Sequence, residues 1–366
     1  MITLIRYELI KIFRRKSVFI SILLLLGINF FFIYPIAEDN SNKSLYQKWE
    51  GPVSHSTITS AEKIVSEAES NMSVDQKQVD MAEELLLIRT LEKWKESDVH
   101  SKETRIGKLE EKGEGDSFVL RKLMLEKKLR EKLSYTEFYY KKPAEKMVDY
   151  VGRYGYGFVS IMILIGISTI YTKEYRTNVD RYMFSSKFGR SKVVNAKILT
   201  AILFVLIIQA ISVIFNFTFW LVLDGNYGWN ANIQTYDYYM RSPYPFDFLG
   251  YYLIKITVQT VAGIAFALLM VWISLWARKS YIAMAIGGFV IAIPIMIEMN
   301  LGRSDLLFFT HSQLMMVAPL FRYFSVINLF GYPILYPVLA TFMLLIYISV
   351  TLLFIYLGVR RKQILK

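Results

Sequence analysis

Apolar residues along the chain gather into long runs almost free of charge, separated by short basic clusters and one long polar insert. Six runs stand out, at residues 17–37, 151–172, 198–223, 251–277, 281–297 and 334–357. A hydrocarbon core of roughly 30 Å takes about 20 apolar residues in a helix, and each run is close to that length. Backbone polar groups have no partner in hydrocarbon, so such runs must be helices unless they alternate as barrel strands do, and none alternates. The fifth run is short and holds Gly287, Gly288 and Pro294, which makes its outer end the least defined boundary. The first run follows Arg14, Arg15 and Lys16 as a signal peptide would. It is too long for a signal core, and Pro35, Ile36 and Ala37 make a poor cleavage site, so a retained span is expected. The predicted fold is an all-α integral membrane protein with six transmembrane helices.

Charge sets the expected orientation. Alternate connections, residues 1–16, 173–197, 278–280 and 358–366, carry 18 Lys and Arg against three carboxylates. The opposite connections are nearly balanced: 224–250 has Arg241 against Asp224, Asp237 and Asp247, and 298–333 has two residues of each sign. The positive-inside rule therefore predicts a multi-pass protein of the cell membrane with both termini cytoplasmic and residues 38–150 extracellular. This also disposes of nucleic acid as a partner. The whole-chain charge of +12 sits in the short basic loops, where topology accounts for it.

The insert at 38–150 carries 20 basic and 23 acidic residues. Its apolar positions (Ile64, Val65, Ala68, then Ala82, Leu85, Leu86, Ile88, Leu91 and Trp94) recur mostly at threes and fours, as do Leu120, Leu123, Leu129 and Leu133. A turn signal at Lys112, Gly113, Glu114, Gly115 and Asp116 separates the two stretches. They predict an external helical hairpin after the first span, with Glu126 and Arg130 paired along its second helix. Simple hairpin packing accounts for this stripe, and a substrate- or partner-docking surface is the sharper alternative. There is no cysteine to brace it.

The chemistry of common enzymes is absent from the sequence. No phosphate-binding Gly-x-x-x-x-Gly-Lys-Ser/Thr run, His-Glu-x-x-His or Gly-x-Ser-x-Gly motif occurs, and His55, His100 and His311 are scattered. No catalytic, cofactor-binding or metal-binding residue is predicted. Within the spans, Arg153 and Lys255 lie near an outer edge, where long basic side chains can snorkel, and Glu298 is expected to be wet. Asn29, Gln209, Asn216 and Gln259 are candidate path-lining residues, although interhelical hydrogen bonding explains such groups equally simply.

The richest segment is 173–197, which mixes charge with Tyr175, Tyr182, Met183, Phe184 and Phe188. A basic loop needs no such aromatic content for topology, whereas an amphipathic helix meeting a cytoplasmic partner would use it. This segment resembles the first cytoplasmic loop of type-two ABC exporter permeases, particularly those of Gram-positive bacteria. There a Glu-Tyr-Arg stretch closes the second span, a short helix follows, and a small residue with Arg or Lys precedes a lysine entering the third span. Glu174, Tyr175, Arg176, Ser185, Ser186, Gly189, Arg190 and Lys197 match that pattern. Asn178 and Lys187 depart from it, at positions where glycine and proline are common. The opening stretch with Arg6, Glu8, Lys11 and Arg14 is similar to that family's amphipathic entry helix (residues 1–16). Residues 298–333, too apolar for a free loop at Met315, Met316, Phe321, Phe324 and Phe330, are similar to its re-entrant segment before the last span.

The resemblance implies a permease subunit without its own nucleotide site. A separately encoded ABC ATPase holding ATP and Mg would couple through Glu174, Tyr175, Arg176, Asp180, Arg181, Phe184, Gly189 and Arg190. A second permease copy or a related permease would complete the path, and a hydrophobic or amphipathic cargo (peptide, antibiotic or lipid-like) would leave the cell. Two other classes stay open on the residues alone: a non-transporting membrane sensor or scaffold with an external ligand-binding hairpin, and a cation-coupled carrier. Mid-membrane carboxylates, which a carrier usually shows, are absent.

Overall fold

The computed structural model describes all residues except 38–42, 71–74, 114–115, 187, 303–304 and 365–366. Among them, six helices are long and apolar enough to span a membrane: Lys16–Pro35, Lys142–Arg176, Ser191–Leu223, Phe248–Trp276, Ser280–Asn300 and Tyr336–Lys362. Each coincides with a predicted run. An amphipathic helix α1 (Ile2–Phe13) precedes the first long helix, α2 (Lys16–Ala37).

The insert holds more elements than a hairpin. After α3 (Lys43–Gln47) and strand β1 (Gly51–Pro52) come α4 (His55–Glu69), α5 (Gln76–Glu111), α6 (Phe118–Glu131) and strand β2 (Glu137–Phe138). The first predicted stretch is therefore two helices packed on each other, because the Asp75 carboxylate caps a fresh start at Lys77 N (3.2 Å). The predicted turn falls between α5 and α6, and its Glu114 and Gly115 lie outside the described residues. Ser117 caps α6 through Leu120 N. At about 1.5 Å per residue, the 36 residues of α5 extend about 54 Å. Apolar residues hold its near half, around Met81, Leu85, Ile88, Leu133 and Phe138. Charge holds the middle, where Asp98, Lys102, Glu126 and Arg130 form one network between α5 and α6, with Arg130 Nε 2.9 Å from Asp98 and its guanidinium over the Trp94 ring, and a second apolar cluster of Ile106, Leu120 and Leu123 holds the tip. β1 pairs with β2 and closes the root.

From that root, α7 (Lys142–Tyr150) runs through a π-helical turn at Val151–Gly155 into α8 (Tyr156–Ile167). Two short helices follow, α9 (Thr172–Arg176) and α10 (Val179–Ser185), then a second π turn at Gly189–Val193 leading into α11 (Val194–Leu223). Beyond it lie α12 (Phe248–Trp276), α13 (Ser280–Leu301), the short α14 (His311–Met316) and α15 (Ala318–Phe321), a hairpin of β3 (Val326–Leu329) with β4 (Tyr332–Leu335), and α16 (Tyr336–Ile364). Phe330 and Gly331, both at positive φ, turn that hairpin. The last predicted span thus starts two residues late, because Ile334 and Leu335 belong to β4.

α8 and α12 form the centre of the bundle: α8 touches α2, α11, α12 and α13, and α12 touches α7, α8, α11, α13, α14 and α16. The apolar stretch of the Lys142–Arg176 span, which contains α8, is 72% buried within the chain, against 17% for the first and fifth spans. Those two turn residues such as Phe19, Phe31 and Phe289 outward. Apolar exposure on that scale is what a lipid-facing surface carries and a water-facing one does not. The fifth helix continues through Pro294, and the Ser312 hydroxyl from α14 bonds the carbonyl of Ile291 three residues before it. α14 wedges in beside residues near the middle of the long helices, where His311 meets the rings of Phe266 and Tyr347 and Ser160 Oγ meets the Met315 sulfur, while Phe321 of α15 packs on Tyr244 and on Tyr251 at the start of α12.

Candidate functional site

The basic end of the bundle is built around four charges. Lys197, four residues into α11, is fully buried and donates to Glu8 (3.1 Å), to Glu174 (2.5 Å) and to the Ile170 carbonyl (2.8 Å). Lys11 bonds the same two carboxylates at 3.2 and 3.1 Å. The sequence places these groups at a helix start, a helix end and a loop. Folding brings two lysines and two carboxylates into one neutral knot, which joins α1, α9 and α11. Burial pulls the Lys11 pKa down, but Glu174 and Glu8 together more than reverse this and leave it above its ordinary value.

Around this knot the predicted loop residues divide into two sets. Glu174 points inward and is 7% exposed, so it braces the loop from within rather than meeting solvent. Tyr175 is half-buried: its hydroxyl donates to the Leu275 carbonyl (2.6 Å), and the Lys362 ammonium bonds that hydroxyl while lying 4.2 Å from the ring centre. Phe184 packs into the core. Gly189 is buried where an added Cβ would fall on the carbonyl oxygen of Met183, so the chain passes α10 only without a side chain. Arg176 and Arg181 are exposed, Asp180 is half-buried, and the Arg190 side chain lies outside the described residues. The outward face of α10 and its flanks also presents Val179, Tyr182 (79% exposed) and Phe188 (61%). Asn178, one of the two departures from the quoted pattern, adopts the left-handed conformation (φ 57°) that glycine takes freely and asparagine tolerates. Lys187, the other departure, lies outside the described residues. On the entry helix, Arg6 and Arg14 are exposed while Glu8 and Lys11 are in the knot.

No protein-family model matches the chain, and no curated protein or solved structure matches it either. The roles of these residues therefore rest on their geometry.

The four candidate path residues are all buried and bonded between helices. Asn29 donates to the Tyr150 hydroxyl (3.2 Å), and Asn216 to the Met147 carbonyl and the Tyr252 hydroxyl. Gln209 donates to Gln259, which in turn donates to the carbonyls of Val151 (2.7 Å) and Met315 (3.1 Å). Glu298 likewise accepts from Gln313 of α14 instead of standing free in water. Lys255 does not snorkel. It is 1% exposed and donates to the Val148 carbonyl at 2.7 Å, one helical turn from Gln259 on the same face of α12. The π turn explains both contacts, because it disturbs the regular ladder next to Val148 and Val151 and offers their carbonyls to α12. Arg153 is exposed and paired with Asp149 at 2.9 Å.

Sequence reading missed the partners more than the players. Lys197 stood in the quoted motif, but nothing in the chain indicates that it meets a residue 189 positions away. A lysine at the threshold of one apolar run, with a glutamate just past the end of the preceding run, is the signal that was available.

Proposed function

We propose that the chain is the membrane-spanning permease subunit of an ATP-driven ABC exporter, with both termini and the basic face in the cytoplasm and residues 38–150 outside. The observation that supports this best is the mounting of α9 and α10. Their outer face offers Arg176, Arg181, Tyr182 and Phe188 to a partner. Their inner face is fixed to α1 and α11 through the four-charge knot, and to α12 and α16 through Tyr175, Leu275 and Lys362. Force applied from below to α10 therefore reaches helices at both ends of the chain, as a subunit driven by a separate ATPase requires. Such coupling works only if the ATPase binds two permease conformations with different affinity.

The path itself lies between two permease subunits, either two copies or a related pair. Gln209, Gln259, Asn216 and Asn29 are engaged in joining helices, so the interior of one chain is packed. The apolar outer faces of α2, α13 and α16 suit a hydrophobic or amphipathic cargo such as a peptide, an antibiotic or a lipid-like molecule. ATP and Mg belong to the partner ATPase.

Co-purification from native membranes tests the proposal. A P-loop ATPase should accompany the chain in mild detergent, and Arg181→Ala with Tyr182→Ala should release it or uncouple its turnover. Failure of any nucleotide-binding subunit to accompany the wild-type chain sinks the reading.

One observation favours a second reading, a sensor or scaffold. Arg121 of α6 stacks on Tyr332 and donates to the Gly331 carbonyl (3.1 Å), so the arm touches the hairpin that leads directly into α16. A ligand on the arm would reach the bundle by that contact, and recovery of a signalling kinase in place of an ATPase would select it.

A further inference from the structure

The basic face also holds a cavity of about 760 Å³, a volume typical of ligand pockets. Five cations line it: Arg15 just before α2, Lys173 and Arg176 from α9, and Arg278 and Lys279 just before α13. No carboxylate lines it. Glu8 and Glu174 behind it are already taken by Lys11 and Lys197, and Asp180 lines the adjoining pocket on the other side of Tyr175 and Arg278. Among the described residues, none of the five lies within ion-pair distance of an Asp or Glu. Arg15 spends its donors on neutral acceptors, the carbonyls of Ile165 and Gly166 and the Thr169 hydroxyl (2.5 Å). Burial, with no carboxylate to offset it, pulls its guanidinium below its ordinary value.

Five like charges around one concavity repel one another, and an anion is what balances them. Guanidinium forks fit phosphate oxygens in particular. The surroundings narrow the anion further. Within a turn or so of Arg15, α2 turns Phe19 and Ile20 outward, and next to Lys279, α13 does the same with Tyr281 and Ile282. A ligand with a phosphate and an adjoining apolar portion satisfies both environments at once.

We propose that this cavity binds the phosphate of an anionic phospholipid headgroup, with the acyl chains lying along the outer faces of α2 and α13. Soluble phosphate compounds share the headgroup chemistry and lack the apolar half. The site stands on the cavity alone and does not depend on an ATPase partner.

The test uses the full chain in nanodiscs with spin-labelled phosphatidylglycerol or phosphatidylcholine, reading the fraction of label immobilised by the protein. Wild type should retain phosphatidylglycerol about tenfold better, and removing charge should cost about fivefold per cation. Arg278→Gln with Lys279→Gln should therefore abolish the preference, and Lys173→Gln alone should weaken it. Lys192→Gln with Arg361→Gln, the same charge change on the same face outside the cavity, should leave the preference in place. Equal retention of both lipids by wild type overturns the proposal, as does an undiminished preference in the cavity variants. So does an equal loss in the control variant, which would assign the effect to general surface charge. If inorganic phosphate at millimolar concentration removes the wild-type preference, the cavity takes a soluble phosphate and the lipid assignment falls.

Discussion

At the scale of single residues, the four-charge knot makes the sharpest prediction. A buried ion pair contributes little beyond an apolar replacement, but removing one partner leaves the other charge stranded. Lys197→Met leaves Glu8 and Glu174 with Lys11 alone between them, one buried negative charge in excess, so a loss of about 3 kcal/mol is expected, read as a lowered thermal midpoint in detergent. Adding Glu174→Gln should recover part of that loss, because the two residues act on one interaction. Full additivity of the two effects would mean that the knot does not form. The same knot sets a pH limit. Lys11 has its pKa raised in the folded state, so its contribution is complete below the ordinary lysine value of 10.5 and is lost as pH climbs through the higher folded value. The midpoint should hold up to about pH 10 and then fall, with a shallower fall in Lys11→Met. Each charge was visible in the sequence, Glu174 and Lys197 beside span ends and Glu8 and Lys11 in the entry helix. That Glu8 and Lys197 meet was not, since periodicity describes one element at a time and the knot joins three.

At the scale of elements, the long helices were legible because length and apolar content alone decide them. The interruptions were not. A π turn inserts one residue into a helix and leaves the apolar composition unchanged, so the turns at Val151–Gly155 and Gly189–Val193 leave no periodic trace. The β4 residues Ile334 and Leu335 read as the start of the last span for the same reason. Yet the first π turn organises the interior, because it presents the Val148 and Val151 carbonyls to Lys255 and Gln259. Gln259→Leu removes bonds to Gln209, Val151 and Met315 in one step. Interhelical hydrogen bonds in membranes are each worth about 0.6 kcal/mol, up to about 1.7, so a loss of about 1–3 kcal/mol is expected. Hydrogen exchange should rise locally over residues 311–316, whose anchoring carbonyl is freed. The second π turn positions α10. Gly189→Ala has to displace Met183 or the turn itself, and on the proposed function it should lower partner-stimulated ATP turnover at least tenfold while the chain still reaches the membrane.

At the scale of the whole molecule, a long arm stands at one end of the bundle and a compact basic face at the other. At the root of the arm α7 continues into α8 as one helical segment, and that root is tied to the loop after α11 by Lys146 with Asp224 (2.9 Å) and Lys141 with the Thr235 carbonyl (2.5 Å). Arm and centre thus form one mechanical piece, and whichever side of the membrane receives the arm decides what the basic face can meet. The charge bias of the loops predicts that the arm is outside and the basic face inside. The absence of cysteine makes the test direct, since any introduced cysteine is the only thiol in the chain. Ser101→Cys lies exposed on α5, and Thr177→Cys lies exposed between α9 and α10. A membrane-impermeant maleimide applied to intact cells should label the first within minutes and the second only after permeabilisation. The reverse pattern would put Arg176, Arg181 and Tyr182 beyond the reach of any cytoplasmic ATPase and would leave the exporter reading without a motor. Labelling of both in intact cells would mean that the long apolar helices do not separate two compartments at all, against the outward-facing Phe19, Phe31 and Phe289 that only lipid accommodates.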